Sequence, residues 1–455
     1  MVDASLLIAV GTMLAVYLLI ATERMHRTSA TLLGVAILLV VHFLGGFFHP
    51  ALKIWHAASG SQGHAVTVEL FQAITGPIDL NVVFLLFGMM VIVAVVARTQ
   101  IFQHLAFRIY KAAEGRPLRL LLLLAIFTGL ASAFLDNVTA MLLVTPISLE
   151  LALVMGVNPV ILLLTQVFAS NLGGAFTLVG DPPNILIGSA AGLTFVDFLL
   201  GLTPAAIVSF VVYLLYVRWR YGDEVQAGST PDPEELLELE RAYALDSKRD
   251  AAAGVAVLAF VVLLFMLHGV LHMEVAVPAL IGAGIAIAIT QEDAVEILEE
   301  VEWPTLVFFM MLFVLVGAVE ATGALDLVAQ GVATVAAGNT VLAIVLVIWV
   351  SAILSGLVDN IPFTVTMIPV VASLVAPTGD FAGNTGLWWA LALGADFGGN
   401  ATLVGASANI VTAGLAERAG HPIEFVEFMK HGIPVMILTC LVGTLVLLLM
   451  FGGIL

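Results

Sequence analysis

Four carboxylates, Asp136, Asp181, Asp359 and Asp396, stand in stretches that are otherwise strongly apolar. If those stretches cross a bilayer, an ionised carboxylate there costs at least ~2.5 kcal/mol. Such groups must then face water, a cation or one another, or carry a proton. Around them in sequence lie Asn137, Thr139, Asn171, Thr177, Asn184, Asn360, Asn400, Thr402, Ser407 and Asn409. Side-chain amides and hydroxyls both donate and accept, so the set suits a small solute rich in hydroxyl groups as well as a partly dehydrated cation. Asp136 and Asp359 are the expected proton-coupling pair, because mutual repulsion and partial burial would let one of two neighbouring carboxylates keep a proton near neutral pH. Asp181 is the most cap-like of the four, since Asp-Pro-Pro reads as an N-cap followed by proline at the first helical position.

These residues come in two sets. Asn171 to Ile185 (NLGGAFTLVGDPPNI) aligns without a gap with Asp396 to Ile410 (DFGGNATLVGASANI) at an offset of 225. Ser132 to Pro146 (SAFLDNVTAMLLVTP) aligns with Ser355 to Pro369 (SGLVDNIPFTVTMIP) at an offset of 223. The chain is therefore two related halves, each with an Asp-Asn motif and then a glycine-rich break. Glycine, proline, aspartate and asparagine are costly at membrane depth unless the unwound backbone lines a cavity. Duplicated breaks of this kind are the signature of a transporter. Half-helices starting at Pro182 and Ser407 would point their N–H groups into the breaks, favouring oxygen there, while the opposing carbonyl ends favour cations.

Composition sets the class. Of 455 residues 61% are hydrophobic and only 11% charged, which describes a polytopic helical membrane protein. A β-barrel would show short alternating segments, whereas here apolar runs of ~20 residues recur, enough to cross ~30 Å of hydrocarbon. The first run, residues 4 to 21, lacks a basic leading segment and reads as a retained span. A net charge of −18 argues against nucleic acid as a partner. The single cysteine, Cys440, excludes an intramolecular disulfide and any multi-cysteine metal site. His42, His49, His56 and His64 gather around the first outer loop and His268 and His272 are four apart, but no carboxylate or cysteine completes a ligand set at helical spacing. No metal and no cofactor are expected. No G-x-x-x-x-G-K-[ST] occurs, so ATP hydrolysis by that route is excluded.

The elements that must position these residues follow in order. Spans are expected at 4 to 21, 30 to 48 and 79 to 97, then an amphipathic basic segment at 98 to 119. Apolar pieces at 120 to 134 and 138 to 149, parted by Asp136-Asn137, are each too short to cross and suggest a re-entrant hairpin. A crossing interrupted at Asn171 to Pro183 spans 157 to 192, and another span covers 202 to 219. Residues 221 to 250 are the one long polar stretch, read as a solvated cytoplasmic linker in which Pro231 and Pro233 open a short amphipathic helix. The second half repeats the pattern with spans at 251 to 268, 274 to 290 and 305 to 320, a hairpin at 340 to 375, an interrupted crossing at 386 to 416 and a last span at 433 to 452.

The expected fold is thus all-α: two inverted repeats of five transmembrane helices, each with a re-entrant hairpin and an interrupted helix. Residues 1–220 form the first repeat, 221–250 the linker and 251–455 the second repeat. Five crossings are an odd number, so the second half enters the membrane upside down and the two hairpin tips meet near the midplane. Lysine and arginine place residues 98 to 119, Arg24, Arg27, Arg218, Arg220, Arg418 and Lys430 in the cytoplasm, and both termini outside.

At LDNVTA, GDPPNILIG, VDNIPFT and GGNATLVGASANIV the chain resembles the ion transporter superfamily, and within it the ArsB/NhaD permease branch of arsenite efflux permeases, sodium/proton antiporters and the melanosomal P protein. The resemblance covers nearly the whole chain and implies an elevator-type carrier of the cytoplasmic membrane, with hairpins and interrupted helices forming the substrate site. It leaves room for a soluble ATPase subunit and for a homodimer. In the dicarboxylate branch the hairpin tips read Ser-Asn-Thr, whereas here Asp136-Asn137-Val138 and Asp359-Asn360-Ile361 stand there, and an acid at each tip would repel a dicarboxylate. The first expectation is therefore proton-coupled efflux of arsenite or antimonite, whose neutral trihydroxide the Asn, Thr and Asp side chains could hold. The second is a sodium/proton antiporter, and the third an intramembrane aspartyl protease with Asp136 and Asp359 as its dyad.

Overall fold

Helix α1 (Ala4–Ala21) and α2 (Arg27–Gly45) lead to α3 (Leu80–Arg98), capped by Asp79, which accepts from the backbone N–H groups of Asn81 and Val82. Then come α4 (Ile101–Ala113), α5 (Pro117–Ser132), α6 (Asn137–Val154), α7 (Pro159–Gly174), α8 (Pro182–Ala191), α9 (Phe195–Gly201) and α10 (Thr203–Tyr221). The second half holds α11 (Lys248–Leu267), α12 (Ala276–Thr290), α13 (Ala294–Glu299), α14 (Trp303–Glu320), α15 (Ala324–Ala336), α16 (Thr340–Leu357) and α17 (Asn360–Val375). It closes with α18 (Gly386–Gly398), a 3₁₀ turn (Leu403–Gly405), α19 (Ser407–Arg418) and α20 (Phe425–Phe451). This computed structural model describes residues 4–22, 24–45, 75–222, 239–245, 247–290 and 293–453. His49, His56, His64 and most of the expected linker, with Pro231 and Pro233, lie outside the described residues.

The all-helical architecture is as expected, with differences at element ends. Among the described residues six helices are long and apolar enough to cross a membrane: α3, α6, α11, α14, α16 and α20. Helix α6, at 18 residues, is therefore longer than the short hairpin arm read from sequence at 138 to 149. Charge misled that reading. Glu150 ends the apolar run, yet it lies on the exposed face of α6 and accepts from the Tyr243 hydroxyl at 2.6 Å, so the helix continues to Val154. Burial, reinforced by that carboxylate, pushes the Tyr243 phenol above its ordinary value and keeps it protonated as the donor. Helix α20 likewise begins at Phe425, ahead of the span expected from 433, with Glu427, Lys430 and His431 in its first two turns. Helix α15, which sequence reading left as a connecting segment, is the counterpart of α4. Both are short amphipathic helices, burying Leu325 and Ala329 in one case and Phe102, Ala106 and Phe107 in the other.

The packing of one half is repeated in the other. Helix α5 lies on α7 as α16 lies on α18, and α4 contacts α5 and α6 as α15 contacts α16 and α17. Between halves the pairing is reciprocal: α2 packs on α14 and α12 on α3, while α6 packs on α19 and α17 on α8. The matched pairs α5–α7 and α16–α18 both approach closely at glycine, since a Cβ on Gly173 would lie 2.6 Å from Gly129 Cα and one on Gly398 2.7 Å from Ala352 Cα. Small residues let helix backbones approach where no water is released to drive association. Helices α1 to α3, α11, α12 and α14 pack mainly on one another, and so do α5 to α8, α10 and α16 to α20. The two groups meet where α3 touches α8, where α14 touches α17, and where the Tyr17 hydroxyl of α1 donates to Pro362 O at 2.7 Å. Leucine-rich faces of α1, α10, α11 and α20 point outward, as a lipid solvent requires.

Candidate functional site

The two Asp-Asn tips and the first glycine-rich break converge on Asp181. Asn137 Nδ2, at the start of α6, donates to Asp181 Oδ2 at 2.8 Å, and Asn360 Nδ2, at the start of α17, reaches both Asp181 oxygens at 3.4 Å. Asn137 also contacts Asn171 Oδ1 at 3.3 Å, and Asn171 Nδ2 donates to Asn400 Oδ1 and Asn409 Oδ1, each at 3.0 Å. One amide, Asn171, thus joins the first break to the second. All six side chains are buried, and in a low-dielectric interior such a network is strong only while every member is satisfied.

Each break is held open by the same hardware. Asn184 Nδ2 donates to the carbonyls of Gly174 (3.1 Å) and Thr177 (3.2 Å), and Asn409 Nδ2 to those of Gly399 (2.8 Å) and Thr402 (3.0 Å). The Thr177 hydroxyl donates to Ala133 O, and the Thr402 hydroxyl to Gly356 O. These four residues satisfy carbonyls that an unwound segment would otherwise leave bare at membrane depth.

Capping roles are the reverse of those read from the sequence. Asp181 does occupy the N-cap position of α8, but its side chain makes no capping bond and turns instead to the two tip asparagines. Asp136 and Asp359 are the true caps. Asp136 accepts from the Thr139 N–H at 2.9 Å and from the Thr139 hydroxyl, and Asp359 Oδ1 accepts from the Ile361 N–H at 3.0 Å. The prolines after Asp181 explain the reversal, since they remove the nearest N–H groups a cap would use.

Sequence reading missed Arg27. It served there only to mark a membrane side, yet its guanidinium is largely buried at the foot of α2, donating to Ser407 Oγ (2.5 Å) and Thr305 Oγ1 (2.9 Å). It also lies 3.9 Å from Asp359 Oδ2 and over the Phe308 ring. Ser407 donates onward to Asp359 at 2.7 Å. No spacing rule could have linked residue 27 to residue 359; only the reciprocal packing of α2 on α14 does so. Glu302, which accepts from Thr305 at 3.0 Å, was missed for the same reason.

Two voids flank this cluster. One of about 30 Å³, enough for a single water, lies between the tips and is lined by Asp136, Asn137, Asn360, Glu302, Thr305 and Ser407. The other, about 470 Å³, opens past Met25 and His26 and is lined further in by Arg27, Val138, Glu302, Asp359 and Ser407. Asp136 and Asp359 therefore line adjoining spaces. Asn400 and Asp396 lie deeper, fully buried in the second break. Because Asn137 holds Asp181 at 2.8 Å and Asn360 at 3.4 Å, Asn137→Ala is expected to weaken substrate binding by about 10-fold or more and Asn360→Ala by less, at ~1.5 kcal/mol for a hydrogen bond to a charged group. Binding measurements on purified variants check this ranking, and wild-type affinity in both would place the substrate elsewhere.

Reciprocally packed broken helices around a buried polar cluster, with a void leading to it, make this bundle a membrane transporter. The citrate transporter family (CitMHS) profile matches residues 17–394, and the chain belongs to that family. An uncharacterised transporter of Mycobacterium tuberculosis is 40% identical over 426 residues, covering 93% of this chain and 94% of that protein. The human P protein is 34% identical over 524 residues, covering 98% of this chain and 60% of that longer protein. In fold, the chain is similar to the crystal structure of the Alcanivorax borkumensis YdaH transporter, with a TM-score of 0.60 at 14% identity over 94% of this chain and 99% of that one. Family and relatives are transporters and not enzymes, which sets aside the aspartyl protease with Asp136 and Asp359 as its dyad. The family shown is the citrate transporter family; the ArsB/NhaD branch read from the motifs is a finer assignment than this match makes.

Proposed function

We propose that the chain is a proton-coupled secondary transporter of a small oxygen-rich anion. Arg27 carries this reading. Its largely buried guanidinium, set among Ser407, Thr305 and Asp359 at the inner end of the 470 Å³ void, is a fork-shaped donor suited to a carboxylate or another oxyanion. The acid expected to repel a dicarboxylate, Asp359, is the one that Arg27 offsets. Asp136 and Glu302 still make the surroundings net negative, so an anion enters only together with protons or with a cation that neutralises it. That is a physical reason for coupling. The family description, citrate transporter, points the same way.

Neutral arsenite or antimonite trihydroxide could use the amides and hydroxyls but would draw no charge attraction from Arg27. Sodium/proton antiport draws support from the 30 Å³ void, which is of cation size and lined by Asp136, Asn137, Asn360 and Ser407. Proteoliposomes with an imposed pH gradient separate the three. Uptake of labelled citrate or a competing oxyanion is expected. Arsenite movement alone, or sodium-driven proton flux without any anion, overturns the proposal.

The movement we infer is an elevator, with the helices that carry the breaks sliding against the group formed by α1 to α3, α11, α12 and α14. The two repeats, 1–220 and 251–455, would then be inverted about the linker 221–250, with both termini outside. A lone cysteine at Ser229, in a chain whose Cys440 is replaced by alanine, is expected to be labelled only from the cytoplasm; labelling only from outside removes the inversion. A soluble ATPase subunit and a homodimer remain further proposed partners, to be sought by copurification.

A further inference from the structure

The second break contains a mismatch that the first resolves. In the first, Asn171 Nδ2 donates to Asn409 Oδ1 at 3.0 Å. The repeat places Asp396 at the position of Asn171 and Asn184 at that of Asn409. Helix α8, which carries Asn184, packs on α18, which carries Asp396, and the repeat sets this pair where Asn409 stands against Asn171. Both hydrogens of its amide are already committed to Gly174 O and Thr177 O, so only Oδ1 remains to face the carboxyl. Asn184 Oδ1 and both Asp396 oxygens are buried without a hydrogen-bond partner among the described residues. An ionised carboxylate and an amide oxygen are both acceptors and cannot bond each other. A carboxylic acid can.

We propose that Asp396 is a proton-binding site, its carboxyl donating to Asn184 Oδ1 as Asn171 donates to Asn409, and that loss and recovery of this proton is the coupled step of transport. The second clause rests on the transport reading above; the first does not. Asp136 and Asp359 differ from Asp396 in their partners: Thr139 supplies Asp136, and Ile361, Ser407 and Arg27 supply Asp359, with donors that an ionised carboxylate accepts. Asp396 has none. Of the elements packed on α18, helices α7 and α16 bring no ionisable group, α8 and α17 bring Asp181 and Asp359 at their heads, and α20 brings Glu427, Lys430, His431 and Cys440. The packing of α8 on α18 brings Asp181 and Asp396 into one buried region. Deprotonation of Asp396 thus sets two buried carboxylates against each other and adds to the negative charge an entering anion meets, which ties proton uptake to loading and proton release to unloading.

The repeat also supplies the test. Asp396→Asn places at 396 the amide that already works at 171, so the variant is expected to fold and melt like wild type. Infrared spectroscopy of full-length protein in liposomes is expected to show a protonated-carboxyl carbonyl band near neutral pH that is missing in Asp396→Asn, displaced in Asp396→Glu and retained in Asp181→Asn. In proteoliposomes Asp396→Asn is expected to keep exchange of internal for external substrate and to lose accumulation driven by a pH gradient. A band unchanged in Asp396→Asn, or lost only in Asp181→Asn, overturns the site. If Asp396→Asn does not fold, an unshifted band in Asp396→Glu overturns it equally. A band assigned to Asp396 in a chain that moves no anion under a pH gradient upholds the site and defeats the transport reading.

Discussion

Arg27→Ala is expected to raise the KM for the transported anion by roughly 30- to 1000-fold, the equivalent of about 2–4 kcal/mol for removing one member of a desolvated charge pair. The side chains of Arg27 and Asp359 are 20% and 7% exposed, so the aspartate left behind can recover little solvation. Ser407 and Thr305 lose their shared donor in the same step. Arg27→Lys restores charge without the planar fork and should recover only part of the affinity. Arg27→Ala combined with Asp359→Asn should recover thermal stability but not transport, which separates a positioning role from anion recognition. Kinetics in proteoliposomes, read beside melting curves, check the series. A wild-type KM in Arg27→Ala would take the anion away from this site.

Gly173→Val and Gly398→Val are expected to remove most or all correctly folded protein. A Cβ at Gly173 would meet the backbone of Gly129, and one at Gly398 would lie 2.5 Å from Ala352 O, so in both cases a whole helix must move and not merely a side chain. Overpacking of an ordinary core costs about 1–3 kcal/mol. With backbone on both sides the cost should exceed that range, against a total stability of about 5–15 kcal/mol. Gly331→Ala in α15 is the control, since nothing lies within 4 Å of the added methyl and alanine favours helix over glycine by about 1 kcal/mol. Yield and monodispersity in detergent report the result; normal folding of both valine variants would mean that α5 and α7, and α16 and α18, are not in close contact.

The amino-acid sequence determined the class of this protein and pointed to the residues of its candidate site. Long apolar runs dictate helices because a bilayer offers backbone groups no other partner, and glycine-rich breaks repeated at offsets of 223 and 225 mark where that rule is suspended. Asn171, Asn184, Asn400, Asn409, Thr177 and Thr402 were legible for this reason, and they do cluster. Element ends were less so: the apolar piece was ended at 149, before Glu150, and the last span begun at 433, after Lys430, although a charge on an exposed helix face interrupts nothing. Three matters were left to the tertiary structure. Whether an aspartate caps or faces the site depends on which neighbouring N–H groups are free, and that separates Asp136 and Asp359 from Asp181. Which partners a buried carboxyl meets depends on packing, and both Asp396 oxygens, like Asn184 Oδ1 from the other half of the chain, are buried without a hydrogen-bond partner among the described residues. Arg27 becomes part of the site only because α2 packs on α14 and carries its foot to Ser407 and Asp359, a contact between residues more than 300 apart that no local pattern encodes.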